Sequence, residues 1–135
     1  LALLGEQMEK YLAAQKDLIR ILGNKIRPKS DKARYKLLNE YLTCISSEVE
    51  EARMDLPWKH WKDYKDFKFD KLHFIEETID ILHFLLDIWI ILGLDHLDIA
   101  VAYNRKKAEN IRRWTRVHKP ERRKQMGKKL LRPNH

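Results

Sequence analysis

An all-α fold, an antiparallel four-helix bundle followed by a basic C-terminal tail, is predicted by three features of the sequence. The 135 residues include only four Gly and four Pro, and long stretches lack both. Apolar residues recur at helical spacing, as in Leu38, Tyr41, Leu42, Ile45, Val49 and Ala52. Breakers fall between the periodic stretches, at Gly23-Asn24, Pro28, Leu56-Pro57 and Gly93. The length is that of one domain and allows a sizeable core.

The first helix is expected from about Leu3 to Leu22, ended by Gly23-Asn24, a C-cap signal. Pro28-Lys29-Ser30-Asp31 reads as a turn. A second helix is expected from about Ala33 to Asp55, stopped by Leu56-Pro57. Residues 57–70, PWKHWKDYKDFKFD, form an aromatic and basic connector. The third helix is expected from about Lys71 to Leu92. It is apolar on most sides and should be the central one. The fourth begins near Asp95 or His96, with Asp95 as N-cap, and ends near Arg116. This divides the chain into a helical domain over 1–116 and a tail over 117–135.

Charge is concentrated towards the C-terminus. Of the 28 Lys and Arg and 20 Asp and Glu, residues 112–135 hold ten Lys and Arg and one acid, Glu121. The other 111 residues hold eighteen and nineteen, so the net charge of +8 comes from the end of the fourth helix together with the tail. A single cysteine, Cys44, excludes an internal disulfide framework and fits a reducing compartment. It reads as a small buried apolar residue. The apolar run from Ile88 to Leu94 is too short for a membrane span, and Asp80, His83 and Asp87 interrupt the stretch before it. No secretory signal is visible, and the expectation is a cytoplasmic protein of bacterial or phage type.

Two acidic pairs carry the chemistry. Glu48 and Glu51 are three residues apart, and Glu77 and Asp80 repeat the spacing, with twenty-five residues between Glu51 and Glu77. Positions i and i+3 share a helix face. Two such helices side by side aim four carboxylates at one point, which repel unless a hard divalent cation lies between them. Cys44, Glu48, Glu51 and Asp55 form one stripe bordering the apolar face of the second helix. Taken alone it would be a solvated acidic face. Glu77 and Asp80, however, sit among Ile75, Ile79, Ile81, Leu82, Phe84 and Leu85, and Asp87 extends their face. Burying an unpaired charge there costs on the order of several kcal/mol. An all-oxygen donor set selects Mg²⁺ or Mn²⁺ over Zn²⁺. His83 gives one D-x-x-H, but a di-iron bundle needs a Glu-x-x-His on each of two helices, and the second is missing.

The fourth helix carries Tyr103, Lys106, Asn110 and Arg113 at i, i+3, i+7 and i+10, one face suited to phosphate. Read alone, the stripe is an ordinary basic surface, as Arg105, Lys107 and Arg112 are. In the connector, Trp58-Lys59-His60-Trp61-Lys62 sets indoles beside lysines, either for stacking and phosphate contact or to plug the bundle end.

Together these segments resemble the dimeric, all-α deoxyuridine triphosphatases, within the wider MazG-like nucleoside triphosphate pyrophosphatases. The family pattern is E-x-x-E, a spacer, then E-x-x-D. SEVEEA and EETIDILHF supply its halves, and PWKHWK lies where the family has a tryptophan-lysine segment. YNRKKAENIRR resembles the later Tyr-x-x-Lys-Asn-x-x-Asn-x-x-Arg motif. Tyr103, Lys106, Asn110 and Arg113 match it, with Lys107 in place of the first Asn. The likeness covers roughly residues 8–114.

The resemblance implies a homodimeric, Mg²⁺-dependent enzyme of the all-α NTP pyrophosphatase fold, with Mn²⁺ as a substitute. It would cut dUTP to dUMP and pyrophosphate. Glu48, Glu51, Glu77 and Asp80 would hold the metal, and Glu48 would also orient the attacking water. Lys62, Tyr103, Lys106, Asn110 and Arg113 would grip the phosphates. Gln15 would meet the base, and Trp61 and Phe84 are candidates either for walls of its pocket or for plain core packing. The segment Gln15-Lys16-Asp17-Leu18 keeps the Gln but not the Asn of the family's Gln-Lys-Leu-Asn stretch, so a cytosine nucleotide such as dCTP, or a broader set, stays open. The rival is a nucleic-acid-binding helical protein using the basic tail. That tail has no aromatic residue beyond Trp114, so such binding would be electrostatic and salt-sensitive. It leaves Glu77 and Asp80 on an apolar helix unexplained. A second rival is a family member that has lost catalysis and acts as a scaffold, although all four acids are intact.

Overall fold

The computed structural model describes residues 2–117 and Lys128; the rest of the basic tail lies outside the described residues. Four helices follow one another: α1 (Ala2–Leu22), α2 (Asp31–Met54), α3 (Lys71–Ile91) and α4 (His96–Val117). The all-α reading holds, with boundaries within two residues of those expected. None of the described helices is long and apolar enough to cross a membrane.

Local chemistry fixes the helix ends. At Gly23 and Gly93 the backbone turns left-handed, with φ of 69° and 72°. That conformation lets Asn24 N–H reach Ile19 C=O at 3.2 Å and Leu94 N–H reach Trp89 C=O at 3.0 Å, closing α1 and α3 as Schellman motifs. The start of α2 departs from the expected turn. Ser30 is extended and its Oγ accepts from Ala33 N–H at 3.1 Å, so it caps a helix that begins at Asp31. Asp70 caps α3, accepting from His73 N–H at 3.0 Å. Asp95 caps α4 through a reciprocal pair. Its carboxylate accepts from Asp98 N–H at 2.8 Å, and Asp98 accepts from Asp95 N–H at 3.0 Å.

The most extensive packing is between α2 and α3, joined by the connector as an antiparallel hairpin: Asp55 meets His73 near one end and Tyr41 meets Phe84 towards the other. Helix α1 packs on both α3 and α4. The core lies at that junction, where Leu12, Leu86 and Ile99 are buried with Met8, Leu82, Trp89, Ile90 and Leu94 against them. The expectation of a central α3 is met only in its C-terminal half, where Leu86, Asp87 and Ile91 are buried. Towards its N-terminus Ile75 and Ile79 remain 43% and 42% exposed.

Candidate active site

Three of the four predicted carboxylates converge. Glu48 and Glu51 on α2 and Glu77 on α3 each present an oxygen, and the three atoms lie within 4.8 Å of one another. Antiparallel pairing of the two helices produces this, since one turn of α2 then faces one turn of α3. Glu48 Oε2 and Glu77 Oε2 are buried without a hydrogen-bond partner. Burial, followed by the Glu51 charge and a carboxyl–carboxyl contact with Glu77, raises the Glu48 pKa from 4.5 to about 7. Glu77 is raised too, first by burial and then by Glu51.

Two orphaned carboxylate oxygens beside a third acid, with no nitrogen or sulfur donor in the cluster, fit a hard divalent cation of the Mg²⁺ or Mn²⁺ class. Asp80 stands slightly apart. Its carboxylate is half-exposed, 3.7 Å from His83 Nδ1, yet it adds to the field that raises Glu48.

Beside Glu48 opens a cavity of about 450 Å³ lined by Gln15, Tyr41, Asp80, His83, Phe84 and Asp87, among others. Its volume is in the range of small-molecule sites. Gln15 and Asp87 are both buried, and the Gln15 amide donates to Asp87 Oδ1 at 2.7 Å. Burial raises the Asp87 pKa and this bond partly offsets the rise. Phe84 lies against Tyr41, ring centroids 6.0 Å apart. Cys44 also lines this cavity, one turn before Glu48. A second cavity of about 430 Å³, between the α1–α2 loop and the α3–α4 turn, is lined by Lys16, Arg27 and Arg34 and has one acid, Asp95, already engaged as the α4 cap. It offers no carboxylate cluster.

The remaining predicted residues neither belong to the carboxylate cluster nor line the cavity beside it. Trp61 is 67% exposed in the connector, packed edge-on against Trp58 and His60 rather than against the cavity. Lys62 is exposed, its ammonium 5.9 Å from the Tyr64 ring. On α4, Tyr103 and Asn110 are exposed, and Glu109 takes both Lys106, at 3.4 Å, and Arg113, at 2.5 Å. Those two cations lower the Glu109 pKa. The stripe is continuous, but it belongs to a helix packed chiefly on α1. Sequence reasoning missed His73. Its Nδ1 lies 2.7 Å from Asp55 Oδ2 and its Nε2 lies 3.3 Å from Glu77 Oε1. The available signal was the i, i+4 spacing of His73 and Glu77.

No curated protein and no solved structure matches this chain. A family model described as dUTPase matches residues 7–110, a span that takes in both acidic pairs, the connector and the α4 stripe as far as Asn110. The chain therefore belongs to the all-α dUTPase family and is a hydrolase acting on nucleotide phosphoanhydride bonds.

Proposed function

We propose that the protein hydrolyses dUTP to dUMP and pyrophosphate with Mg²⁺ at the α2–α3 carboxylates. The observation that carries the reading is the orphaned pair, Glu48 Oε2 and Glu77 Oε2, beside Glu51 and at the edge of a nucleotide-sized cavity. Glu48, Glu51 and Glu77, with Asp80 from the rim, would hold the cation; it would neutralise phosphate charge and lower the pKa of a bound water. Glu48 faces both the cluster and the cavity, which supports a role in orienting water and taking up its proton. Its raised pKa shows how strongly an uncompensated charge is resisted there.

Base recognition falls to the other end of the cavity. Phe84 supplies an apolar wall, and the Gln15–Asp87 pair supplies a fixed polar contact. With its amide held by Asp87, the orientation of Gln15 is set before substrate arrives. The phosphates require cations, and none of the residues lining this cavity is Lys or Arg. In the proposed assembly a second copy brings Lys106, Asn110 and Arg113, with Tyr103, to the carboxylates and covers the exposed Ile75 and Ile79. Lys62, on the connector, joins this phosphate set.

The test is pyrophosphate release from each deoxynucleoside triphosphate, with Mg²⁺ and with chelator. Release from dUTP in excess of the others, abolished by chelator, supports the reading. Equal release from dCTP would remove the uracil assignment. No release from any nucleotide would remove the function.

A further inference from the structure

We propose that His73 is a positioning residue for Glu77: anchored by Asp55, it holds one carboxylate oxygen of Glu77 so that the other stays turned to the cation. This rests on the cation reading above and extends it to residues outside the two acidic pairs. The placement is built from the helix ends inward. Asp55 is the C-cap of α2, and Asp70 is the N-cap of α3. The Asp70 carboxylate fixes the first turn of α3 by accepting from His73 N–H at 3.0 Å. The imidazole therefore stands one helical turn before Glu77 and opposite the end of α2.

Its Nδ1 lies 2.7 Å from Asp55 Oδ2, and its Nε2 3.3 Å from Glu77 Oε1. The ring thus bridges the two acids, hydrogen-bonded to Asp55 through one nitrogen and within ion-pairing distance of Glu77 through the other. The two acids are well covered, at 16% and 12% side-chain exposure, whereas the ring is half-exposed. The consequence falls on Glu77. Its Oε1 faces His73, while its Oε2 is buried and unpartnered, in a residue that also meets Glu48 and Glu51. Partners of this kind around a metal ligand change metal affinity by about 10- to 100-fold when removed.

The experiment is Mn²⁺ binding to the full chain without nucleotide, read from the electron paramagnetic resonance of free Mn²⁺, with circular dichroism confirming helix content. His73→Ala is expected to weaken Mn²⁺ binding about tenfold or more. His73→Gln, which keeps a donor, recovers part of the loss. In a Glu77→Gln background, His73→Ala has no further effect. Should His73→Ala fail to fold, Asp55→Asn carries the test, with a smaller loss of affinity in the same direction. Wild-type Mn²⁺ affinity in the folded variants, or losses at His73 and Glu77 that simply add, would overturn the positioning role. Absence of Mn²⁺ binding by the wild-type chain would overturn the cation reading as well.

Discussion

The α2–α3 hairpin and α4 carry charge of opposite sign, and the fold treats the two differently. On the hairpin, acids that repel are pressed together until two oxygens are buried without partners. On α4, cations that would welcome a phosphate are spread along an exposed face, where Glu109 of the same helix occupies two of them. The hairpin is charged against its own packing, while α4 is at rest. Charge held against packing marks a site that waits for a counterion, because the cost of such an arrangement is recovered only on binding. Self-neutralised charge gives no such signal. In the proposed function, one chain would assemble the metal half of the site and a second copy would bring the phosphate half to it.

The largest effect expected from breaking this contrast is at Glu48. Glu48→Gln should lower the rate of pyrophosphate release by about 100- to 10,000-fold, the range for loss of a general base, and the folded chain should not lose thermal stability. Next comes Arg113→Ala, which should raise KM for the triphosphate about tenfold or more, through loss of a charge-assisted contact. Mixing Glu48→Gln and Arg113→Ala subunits should regain activity that neither has alone if α4 acts across a dimer. An unchanged KM would return the stripe to ordinary surface.

Smaller effects are expected from the buried pair beneath the cavity. Gln15→Leu leaves the Asp87 carboxyl buried without its donor and should cost about 1–3 kcal/mol in denaturant unfolding. Asp87→Asn should cost less, because the desolvated charge is removed together with the bond.

The smallest effect is on pH. Glu48 titrates at about 7 in the folded chain against an ordinary 4.5, so between those values the folded state holds a proton that the unfolded state has released. That stabilisation is complete below about 4.5 and is lost as pH rises through 7. Glu77, Asp87 and His73 are shifted in the same direction. Without divalent cation, the melting temperature should therefore rise from pH 8 to pH 6. Saturating Mg²⁺ should reduce the slope.

Much of this was legible in the residues because it depends on near neighbours. Gly23 and Gly93 end helices by local backbone geometry, and the i, i+3 acids share a face whatever surrounds them. Ser30 as the α2 cap was less plain, since it follows Pro28 in a segment that reads equally as a turn. What distant packing decides was not legible. The apolar residues around Glu77 suggested a fully buried helix, yet helical pattern cannot say which neighbours reach how far, and Ile75 and Ile79 stay uncovered. Asp55 and His73 lie 18 residues apart, and only the path of the connector brings them together. The orientation of α4 depends on its docking to α1, so the spacing of its stripe gave no information about what the stripe faces.

Calorimetric titration of Mg²⁺ into the full-length protein tests the division most directly, using a Lys106→Ala/Arg113→Ala double variant and a Glu77→Gln variant beside the wild type. The α4 double variant should bind Mg²⁺ as the wild type does, and Glu77→Gln should lose most of the affinity. Loss in the α4 variant with retention in Glu77→Gln would contradict a metal half assembled on the α2–α3 hairpin.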